Sequence, residues 1–273
     1  MTYLVTGATG TVGRAIVRRL LETGHPVRAL TRDVDRARPL LPQGVEVVRG
    51  DLTAPESLVP HMDGVTGLHL VTFGGDDHAP LETGPRLVEL AEAAGVRRVT
   101  VLSDFYEGGV QAALRDSRLA WTFLNPVEFM ANTTAWAASI RAEGIVREPG
   151  PGPSAVVHEA DIASVAVTAL TQDGHGGHSL LLTGPEALTL RQRVDVLARA
   201  LDREVTLVVL TPEELVASLR AQGHDEEYVA FAHALAVDPP EVGGRVQDTV
   251  ERVTGRPART FAAWVEENAH LFR

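Results

Sequence analysis

Short runs of apolar residues alternate with amphipathic stretches through the first half of the chain. The runs are rich in Val and Leu, and they predict strands at residues 3–5, 27–31, 45–49, 67–72, 97–103 and 119–124. Between these runs, apolar residues recur at helical spacing, and Gly or Pro ends most of the stretches. The alternation predicts an α/β fold with a doubly wound parallel sheet, in which ligands bind at the carboxyl ends of the strands.

Three glycines, Gly7, Gly10 and Gly13, join the first predicted strand to the first predicted helix. Gly7 suits backbone angles that other residues avoid, Gly10 lets the main chain approach a pyrophosphate, and Gly13 lets the helix lie close to the strand. The helix N-terminus adds free N–H groups and the positive end of the helix dipole, which favour a bound phosphate. The stretch therefore predicts dinucleotide binding, and an ordinary strand-to-helix turn is the alternative.

The residues after the second and third predicted strands bear on which dinucleotide is bound. Arg32 lies about twenty residues past the last glycine, where NAD-binding sites carry an acidic residue on the ribose hydroxyls. An arginine there suits the 2′-phosphate of NADP, whereas Asp33 either favours NAD or caps the next helix. Asp51 is a candidate acceptor for the adenine amino group with Leu52 against the base, or it caps the next turn. We expect NADP, with NAD as the alternative.

The regular alternation of predicted strands and helices ends at Asn125 and Pro126. A loop rich in Pro and Gly covers residues 148–153, an apolar strand follows at 179–183, and helices dominate from residue 188 onward. The predicted organisation is a Rossmann dinucleotide-binding domain at 1–150 and a smaller, mainly helical substrate-side domain at 151–273. Strand 179–183 is a candidate to rejoin the main sheet.

Composition and charge limit the classes of molecule that the protein is expected to bind. A net charge of −11 argues against a nucleic-acid surface, because phosphate contacts need clustered basic residues. The sequence shows neither a membrane span nor a signal peptide, so we expect a cytoplasmic protein. It contains no Cys and no Lys, which excludes disulfides, and the scattered His residues predict no metal site. The expected partner is a small-molecule substrate, with a homodimer left open.

The opening motif and several later segments resemble the NmrA-like branch of the atypical short-chain dehydrogenases/reductases, NAD(P)-binding proteins common in actinobacteria. The similar segments are residues 7–13, 51–52, 121–126, 129–132, 158–163, 182–185 and 255–261. The resemblance implies a Rossmann fold with cofactor contacts at the strand ends. Together with the motif, it gives as candidate cofactor-binding residues Gly7, Thr9, Gly10, Thr11, Val12, Gly13, Arg32, Asp51, Leu52, Thr72, Phe73, Ser103 and Asn125.

Candidate catalytic groups follow the fifth predicted strand, where the nicotinamide should lie. Tyr106 is a candidate proton donor, and Asp104 is a second one if its pKa is raised. The structural alternative places the tyrosine in the cleft wall and the aspartate at a helix cap. By resemblance, His158 begins a segment on the substrate side, where it either protonates a substrate or bonds to backbone at a helix start. The Tyr-x-x-x-Lys pair of typical short-chain dehydrogenases is absent, since the chain has no Lys.

These features predict an NADPH-dependent oxidoreductase that reduces a small conjugated or aromatic carbonyl or a quinone. Two alternatives stay open from the sequence. An NAD(P)-binding redox sensor or regulatory protein without turnover is favoured by the missing Tyr-Lys pair, and a biosynthetic isomerase or cyclase would use the same fold.

Overall fold

The computed structural model describes residues 1–75, 79–103, 108–150 and 152–273. The strands are β1 (Thr2–Val5), β2 (Val27–Thr31), β3 (Glu46–Arg49), β4 (Val65–Val71), β5 (Phe73–Gly74), β6 (Ala79–Pro80), β7 (Arg98–Leu102), β8 (Ala120–Pro126), β9 (Ile145–Pro149), β10 (His178–Leu182) and β11 (Thr206–Leu210). The α-helices are α1 (Thr11–Glu22), α2 (Val34–Ala37), α3 (Gly84–Ala93), α4 (Gly109–Arg115), α5 (Ala137–Glu143), α6 (Glu159–Thr171), α7 (Leu190–Leu201), α8 (Pro212–Ala221), α9 (Glu226–Val237), α10 (Thr249–Thr254) and α11 (Phe261–Asn268).

The main sheet, as far as the structure describes the chain, has seven strands in the order β10-β8-β7-β4-β1-β2-β3. Every neighbouring pair in it is parallel. The strand order reverses between β1 and β4, which opens a crevice at the carboxyl ends of these two strands. The predicted doubly wound parallel sheet is confirmed, and β10 joins it beside β8.

The predicted strands of this sheet agree with the observed ones to within two residues at either end. The sequence did not reveal β9 and β11, which pair with each other in parallel as a separate two-stranded sheet. Their residues lie far apart in the chain, and neither segment alternates apolar and polar residues, so no local pattern predicts the pairing. A 3-10 helix, Met130–Trp136, leads directly into α5.

Contacts divide the chain into two units that are discontinuous in sequence. The first unit contains residues 1–126, 159–182 and 249–256, and the second contains residues 127–158, 183–248 and 257–273. The predicted boundary near residue 150 is a coarser division, because α6, β10 and α10 follow it in the chain and group with the first unit.

The core of the first unit lies between the main sheet and its helices. On one face, Leu68 and Val99 of the central strands pack in a buried cluster with Leu87 of α3 and Leu114 of α4. The other face of β4 is directed at α6, since a Cβ added to Gly67 would lie 3.3 Å from Cδ2 of Leu170. Both faces of the central strands are therefore covered, as their apolar sequence requires.

The second unit has its own core and its own buried polar group. Met130, Trp136, Val194 and Phe261 belong to one buried apolar cluster. The indole Nε1 of Trp136 donates to Oε1 of Glu148 at 2.7 Å, and burial raises the pKa of Glu148. The carboxylate thus sits where the indole N–H compensates part of its lost hydration.

The described residues contain neither a membrane-crossing helix nor a metal-binding cluster. No helix there has both the length and the apolar composition that a bilayer crossing needs. No group of three or more His, Cys, Asp or Glu side chains there is arranged to hold a metal ion.

One histidine lies inside the main sheet. His69 on β4 is fully buried, and its Nδ1 is 2.9 Å from Oγ1 of Thr100 on β7. No hydrogen bond is found for its Nε2 in the described part of the chain. Burial lowers the pKa of His69 to about 3, because a charged imidazole would lose its hydration there.

We expect His69 to make the protein acid-sensitive. The unfolded chain takes up this proton near pH 6.5 and the folded chain only near pH 3, so stability is complete above pH 6.5 and falls as the pH drops. Between about pH 7.5 and about pH 5 the free energy of unfolding should fall by about 2 kcal/mol on this account. Urea unfolding should show that loss in the native chain and not in His69→Leu, with exposed His270→Gln behaving as native. Equal pH slopes for the native chain and His69→Leu would contradict the assignment.

Candidate cofactor-binding site

The turn between β1 and α1 is closed around its three glycines. Gly7 has φ +58°, and its carbonyl oxygen accepts a 2.9 Å hydrogen bond from the N–H of Gly10. A Cβ at Gly13 would lie 2.1 Å from that same oxygen and 2.9 Å from Cα of Ala8. No side chain fits between the helix and the turn at this position, so the helix axis is brought close against the end of β1.

The N-terminus of α1 has no side-chain cap. Gly10 is the N-cap residue, has an extended backbone, and offers no side chain to accept from the first N–H groups; the first turn also has no acidic residue. An α-helix leaves its first N–H groups without intrahelical partners. Thr9 and Thr11 flank the N-cap, and Thr11 is exposed. The turn therefore has the donors and the dipole end that an anion needs.

The other candidate cofactor residues of the first unit are brought to the same edge of the sheet. Each lies at or just beyond the carboxyl end of a parallel strand; they are Arg32 after β2, Asp51 and Leu52 after β3, Thr72 and Phe73 after β4, Ser103 after β7, and Asn125 at the end of β8. Parallel strands place their carboxyl ends together, so the topology gathers side chains that are far apart in sequence.

The acidic residue beside Arg32 serves as a helix cap. Oδ1 of Asp33 accepts from the N–H of Arg36 at 3.1 Å, which makes Asp33 the N-cap of α2. Arg32 itself is exposed just past the end of β2. Of the two readings of Asp33 left open by the sequence, the structure shows the cap. Oδ1 of Asp33 is therefore engaged in the helix cap.

Asp51 also makes local hydrogen bonds, yet keeps one oxygen available. Its Oδ1 accepts from the N–H of Thr53 at 2.9 Å and from the Thr53 hydroxyl at 2.8 Å. Its other oxygen makes no hydrogen bond to the described residues. Leu52 is 7% exposed and packs in the core of the first unit, and its carbonyl oxygen accepts from the Thr83 hydroxyl at 2.6 Å. Hydrogen bonds to Thr53 and to Thr83 thus fix the backbone at residues 51–52.

A cavity of about 530 Å³ adjoins this segment. It is lined by Thr53 and by residues 74–75 and 79–83, all in the first unit. Its wall includes Thr83, whose hydroxyl holds Leu52. The cavity is large enough for part of a dinucleotide, since small-molecule sites start at about 300 Å³.

Ser103 is nearly buried and has a hydrogen-bond partner that sequence reasoning missed. The amide Nε2 of Gln111 donates to Oγ of Ser103 at 2.8 Å, while the main-chain N–H of Ser103 donates to the carbonyl of Leu124. At the edge of the sheet, the side-chain amide of Asn125 donates to Oγ of Ser179 at 2.7 Å. Asn125 thus ties β8 to β10, in addition to its candidate role toward the cofactor.

The structure describes one of the three candidate catalytic residues. Asp104 and Tyr106 lie outside the described residues. His158 belongs to the second unit, immediately before α6, and is 3% exposed; its Nε2 is 3.3 Å from Oε2 of Glu267. One ring nitrogen therefore faces a side-chain carboxylate of its own unit.

The sequence offered little indication of the hydrogen bonds that Gln111 and Thr83 make. Gln111 is three residues after Gly108, and its Oε1 accepts from the N–H of Gly108 at 3.2 Å. This is the geometry of a capping glutamine, but a glycine at the N-cap gives no Ser or Thr by which to recognise it. Thr83 precedes α3 by one residue, yet its hydroxyl reaches across to Leu52, a pairing with no local pattern.

Comparisons with known proteins extend the resemblance. The model of the NmrA-like family matches residues 1–108. An NAD(P)H azoreductase of Xenophilus azovorans is 35% identical over 98% of each chain, and a (4-alkanoyl-5-oxo-2,5-dihydrofuran-3-yl)methyl phosphate reductase of Streptomyces griseus is 38% identical, also over 98% of each. Among solved structures, the NADPH-dependent quinone oxidoreductase of Escherichia coli, complexed with NADPH, is 26% identical over the full length of both chains, with a TM-score of 0.80.

The chain belongs to the NmrA-like family. Identity of 35% and 38% continues along nearly the whole length, so the relationship includes the second unit as well as the glycine turn. The predicted family and the predicted class of enzyme, an oxidoreductase, are confirmed.

Replacing Gly13 by Ala tests the closed turn. The added methyl would overlap the Gly7 carbonyl, and because the obstacle is backbone, the helix must move; overpacking of this kind costs about 1–3 kcal/mol. We expect Gly13→Ala to lower the free energy of unfolding by that amount and to weaken NADPH binding at least tenfold by calorimetry. Gly243→Ala is the matched control, because a Cβ there meets nothing within 4 Å. Native affinity in Gly13→Ala would contradict the role of the turn.

Proposed function

We propose that this protein is an NADPH-dependent oxidoreductase that reduces a small conjugated or aromatic carbonyl or quinone-type substrate. The observation that carries the proposal is the uncapped N-terminus of α1, closed by Gly13 against Gly7, in a chain whose full-length relatives are reductases. Those relatives are named for an azo substrate and for a conjugated dihydrofuranone phosphate. Both substrates are conjugated systems that accept hydride, and this supports the proposed substrate class.

The residues of the first unit fit a dinucleotide. The first-turn N–H groups of α1 would hold the pyrophosphate, because no side chain of the N-cap occupies them. The second oxygen of Asp51 would accept from the adenine amino group, and the cavity beside Thr53 offers space for that end of the cofactor. Thr9, Thr11, Val12, Thr72, Phe73, Ser103 and Asn125 complete the proposed contacts along the same edge of the sheet.

Arg32 is the residue that we propose selects NADP. Arginine binds phosphate in a planar, charge-assisted geometry, and it follows β2 where the ribose of a dinucleotide lies in this fold. Oδ1 of Asp33 accepts from the N–H of Arg36, which directs this oxygen to the start of α2. NAD remains the weaker cofactor, since the pyrophosphate and adenine contacts are shared. Arg36 and Arg38 are further candidates for the phosphate.

NADPH, when bound, supplies the hydride. The chain must then orient the acceptor and stabilise the negative charge that develops on it, which needs one or more hydrogen-bond donors in place before the reaction. Ser103 is the described residue at the carboxyl end of the strand β7 that carries a hydroxyl for this purpose. Tyr106, Asp104 and His158 remain proposed donors from the sequence.

We propose a small-molecule substrate as the partner and keep the homodimer and the cytoplasmic location as predictions from the sequence.

The cofactor assignment predicts an asymmetric loss in Arg32→Ala. Removing one charge-assisted phosphate contact should weaken NADPH binding about ten- to hundredfold and leave NADH binding nearly unchanged. Fluorescence titration with both coenzymes measures the two affinities. Arg18→Ala removes the same charge from an exposed site on α1 and should change neither affinity by more than about twofold. Equal losses for both coenzymes in Arg32→Ala would refute the role of Arg32.

The reaction itself is tested by stopped-flow oxidation of bound NADPH. We expect first-order loss of nicotinamide absorbance with at least one member of a panel of benzoquinones, naphthoquinones, conjugated ketones and azo dyes. The dependence on acceptor concentration should saturate, as it does when an acceptor binds before hydride transfer. Tight NADPH binding with no oxidation by any acceptor would argue for the redox-sensor alternative.

A further inference from the structure

We propose that Thr83 is a positioning residue for base recognition. Its hydroxyl fixes the segment Asp51–Leu52, so that the site prefers adenine to a base that carries an oxygen in place of the adenine amino group. The inference rests on the proposed function and deepens it by naming what makes the dinucleotide site selective for its base. The residues concerned all belong to the first unit.

The hydroxyl of Thr83 does not cap the helix that it precedes. Thr83 is the N-cap residue of α3, where a threonine commonly accepts from the second or third N–H of the helix. It makes no such bond, and its ψ of 1° is not the extended value of a capping residue. The second helical residue is Pro85, which has no N–H to offer. The hydroxyl instead donates to the carbonyl oxygen of Leu52 at 2.6 Å.

Thr83 makes this bond from a fixed position. The next residue, Gly84, lies directly against the start of α4, because a Cβ there would be 2.6 Å from the main-chain nitrogen of Val110. Two residues before Thr83, the N–H of Leu81 donates at 2.9 Å to the carbonyl of Thr72. Backbone contacts on both sides therefore hold the threonine.

The segment that receives the bond is anchored at further points. The main-chain N–H of Asp51 donates to Oγ of Ser57 at 2.8 Å, and Oδ1 of Asp51 accepts from both the N–H and the hydroxyl of Thr53. The side chain of Leu52 is buried in the core. Thr83 adds a restraint on the main chain from a distant part of the sequence, so the direction of the Asp51 carboxylate is set.

The anchored segment borders the cavity of about 530 Å³, and Thr53 and Thr83 both line it. Gly74 of β5 lies close to both parts of this wall. A Cβ at Gly74 would be 3.1 Å from Cγ2 of Thr53 and 2.7 Å from Cδ2 of Leu81. The two threonines therefore face one concave space, and Asp51 precedes Thr53 by two residues at its border.

A fixed carboxylate distinguishes two purines that differ in one group. A carboxylate oxygen only accepts hydrogen bonds, and adenine offers it an exocyclic amino group. Hypoxanthine has a carbonyl oxygen at that position and a ring N–H beside it. A carboxylate that cannot move meets the hypoxanthine oxygen and is repelled, whereas one on a loosened segment can shift to the ring N–H. Selectivity for adenine therefore depends on how firmly Thr83 holds the segment.

Calorimetry with NADPH and with its analogue that carries hypoxanthine tests the inference. We expect the native protein to prefer NADPH roughly tenfold or more, and Thr83→Val to lose about five- to tenfold in NADPH affinity with little change for the analogue. Thr83→Ser keeps the hydroxyl and should retain the native ratio of affinities. No base preference in the native protein, or equal losses for both coenzymes in Thr83→Val, would overturn the inference.

A double variant tests whether Thr83 acts through Asp51. Asp51→Ala should abolish the base preference, and Thr83→Val in that background should not change the ratio further, because the two changes remove one shared function. A further change in the ratio would contradict the inference. In turnover with a quinone, Thr83→Val should raise the KM for NADPH and leave kcat native, since the lost contact is the same in the ground and transition states. A lower kcat with native KM would also contradict it.

A matched control lies on another strand of the first unit. Thr122 of β8 donates its hydroxyl to the carbonyl oxygen of His175 at 2.7 Å, which is the same kind of long-range bond. Thr122→Val should leave both coenzyme affinities native, even where it lowers stability. If Thr83→Val does not fold, Thr83→Cys has a similar size and keeps a weak donor. Its ratio should be intermediate, and a native ratio in Thr83→Cys would overturn the inference.

The binding measurements separate this inference from the proposed function. If the native protein prefers NADPH to the analogue through Thr83 but reduces no acceptor, the proposed reductase function fails and the inference stands. If the protein is an active reductase whose base preference is unchanged in Thr83→Val, the inference fails alone. A native protein that binds neither coenzyme would overturn both.

Discussion

The close approach of α1 to the end of β1 is the constraint on which the site depends. A Cβ at Gly13 would lie 2.1 Å from the Gly7 carbonyl oxygen, so the backbone of the helix and that of the turn occupy space that side chains would otherwise fill. This approach aims the uncapped helix N-terminus at the reversal of strand order between β1 and β4. The helix N-terminus and the crevice then coincide, and the strand ends on either side carry the residues that we propose for selectivity and chemistry.

Two carboxylates at the carboxyl edge of the main sheet make local hydrogen bonds. Asp33 and Asp51 both follow strands, and the sequence allowed each to contact the cofactor or to hold a turn. In the structure Asp33 caps α2, whereas Asp51 uses one oxygen for Thr53 and keeps the other. Local hydrogen bonds therefore decide which acidic groups can meet the ligand.

Much of the fold was predictable because it is encoded locally. Apolar runs such as 27–31 give strands, and glycines at fixed spacing give the turn, so the sheet and the turn before α1 could be predicted from neighbouring residues. The pairing of β9 with β11 and the two-unit division depend on contacts between distant segments, for which one sequence gives no signal. The bond from Gln111 to Ser103 was missed for a similar reason, since a glycine N-cap hides the capping pattern. Asp104 and Tyr106 stay predictions from the sequence.

The interleaved connectivity has a consequence for how the protein is inherited and made. The chain passes between its two units five times, and the last strand to join the main sheet is supplied after residue 177. Neither unit can be gained, lost or exchanged by a single genetic crossover, unlike modules joined end to end. During synthesis, β8 must wait for β10 with its edge unpaired until much of the chain has left the ribosome. Diversification of this protein is therefore expected through substitutions and loop changes within one indivisible chain.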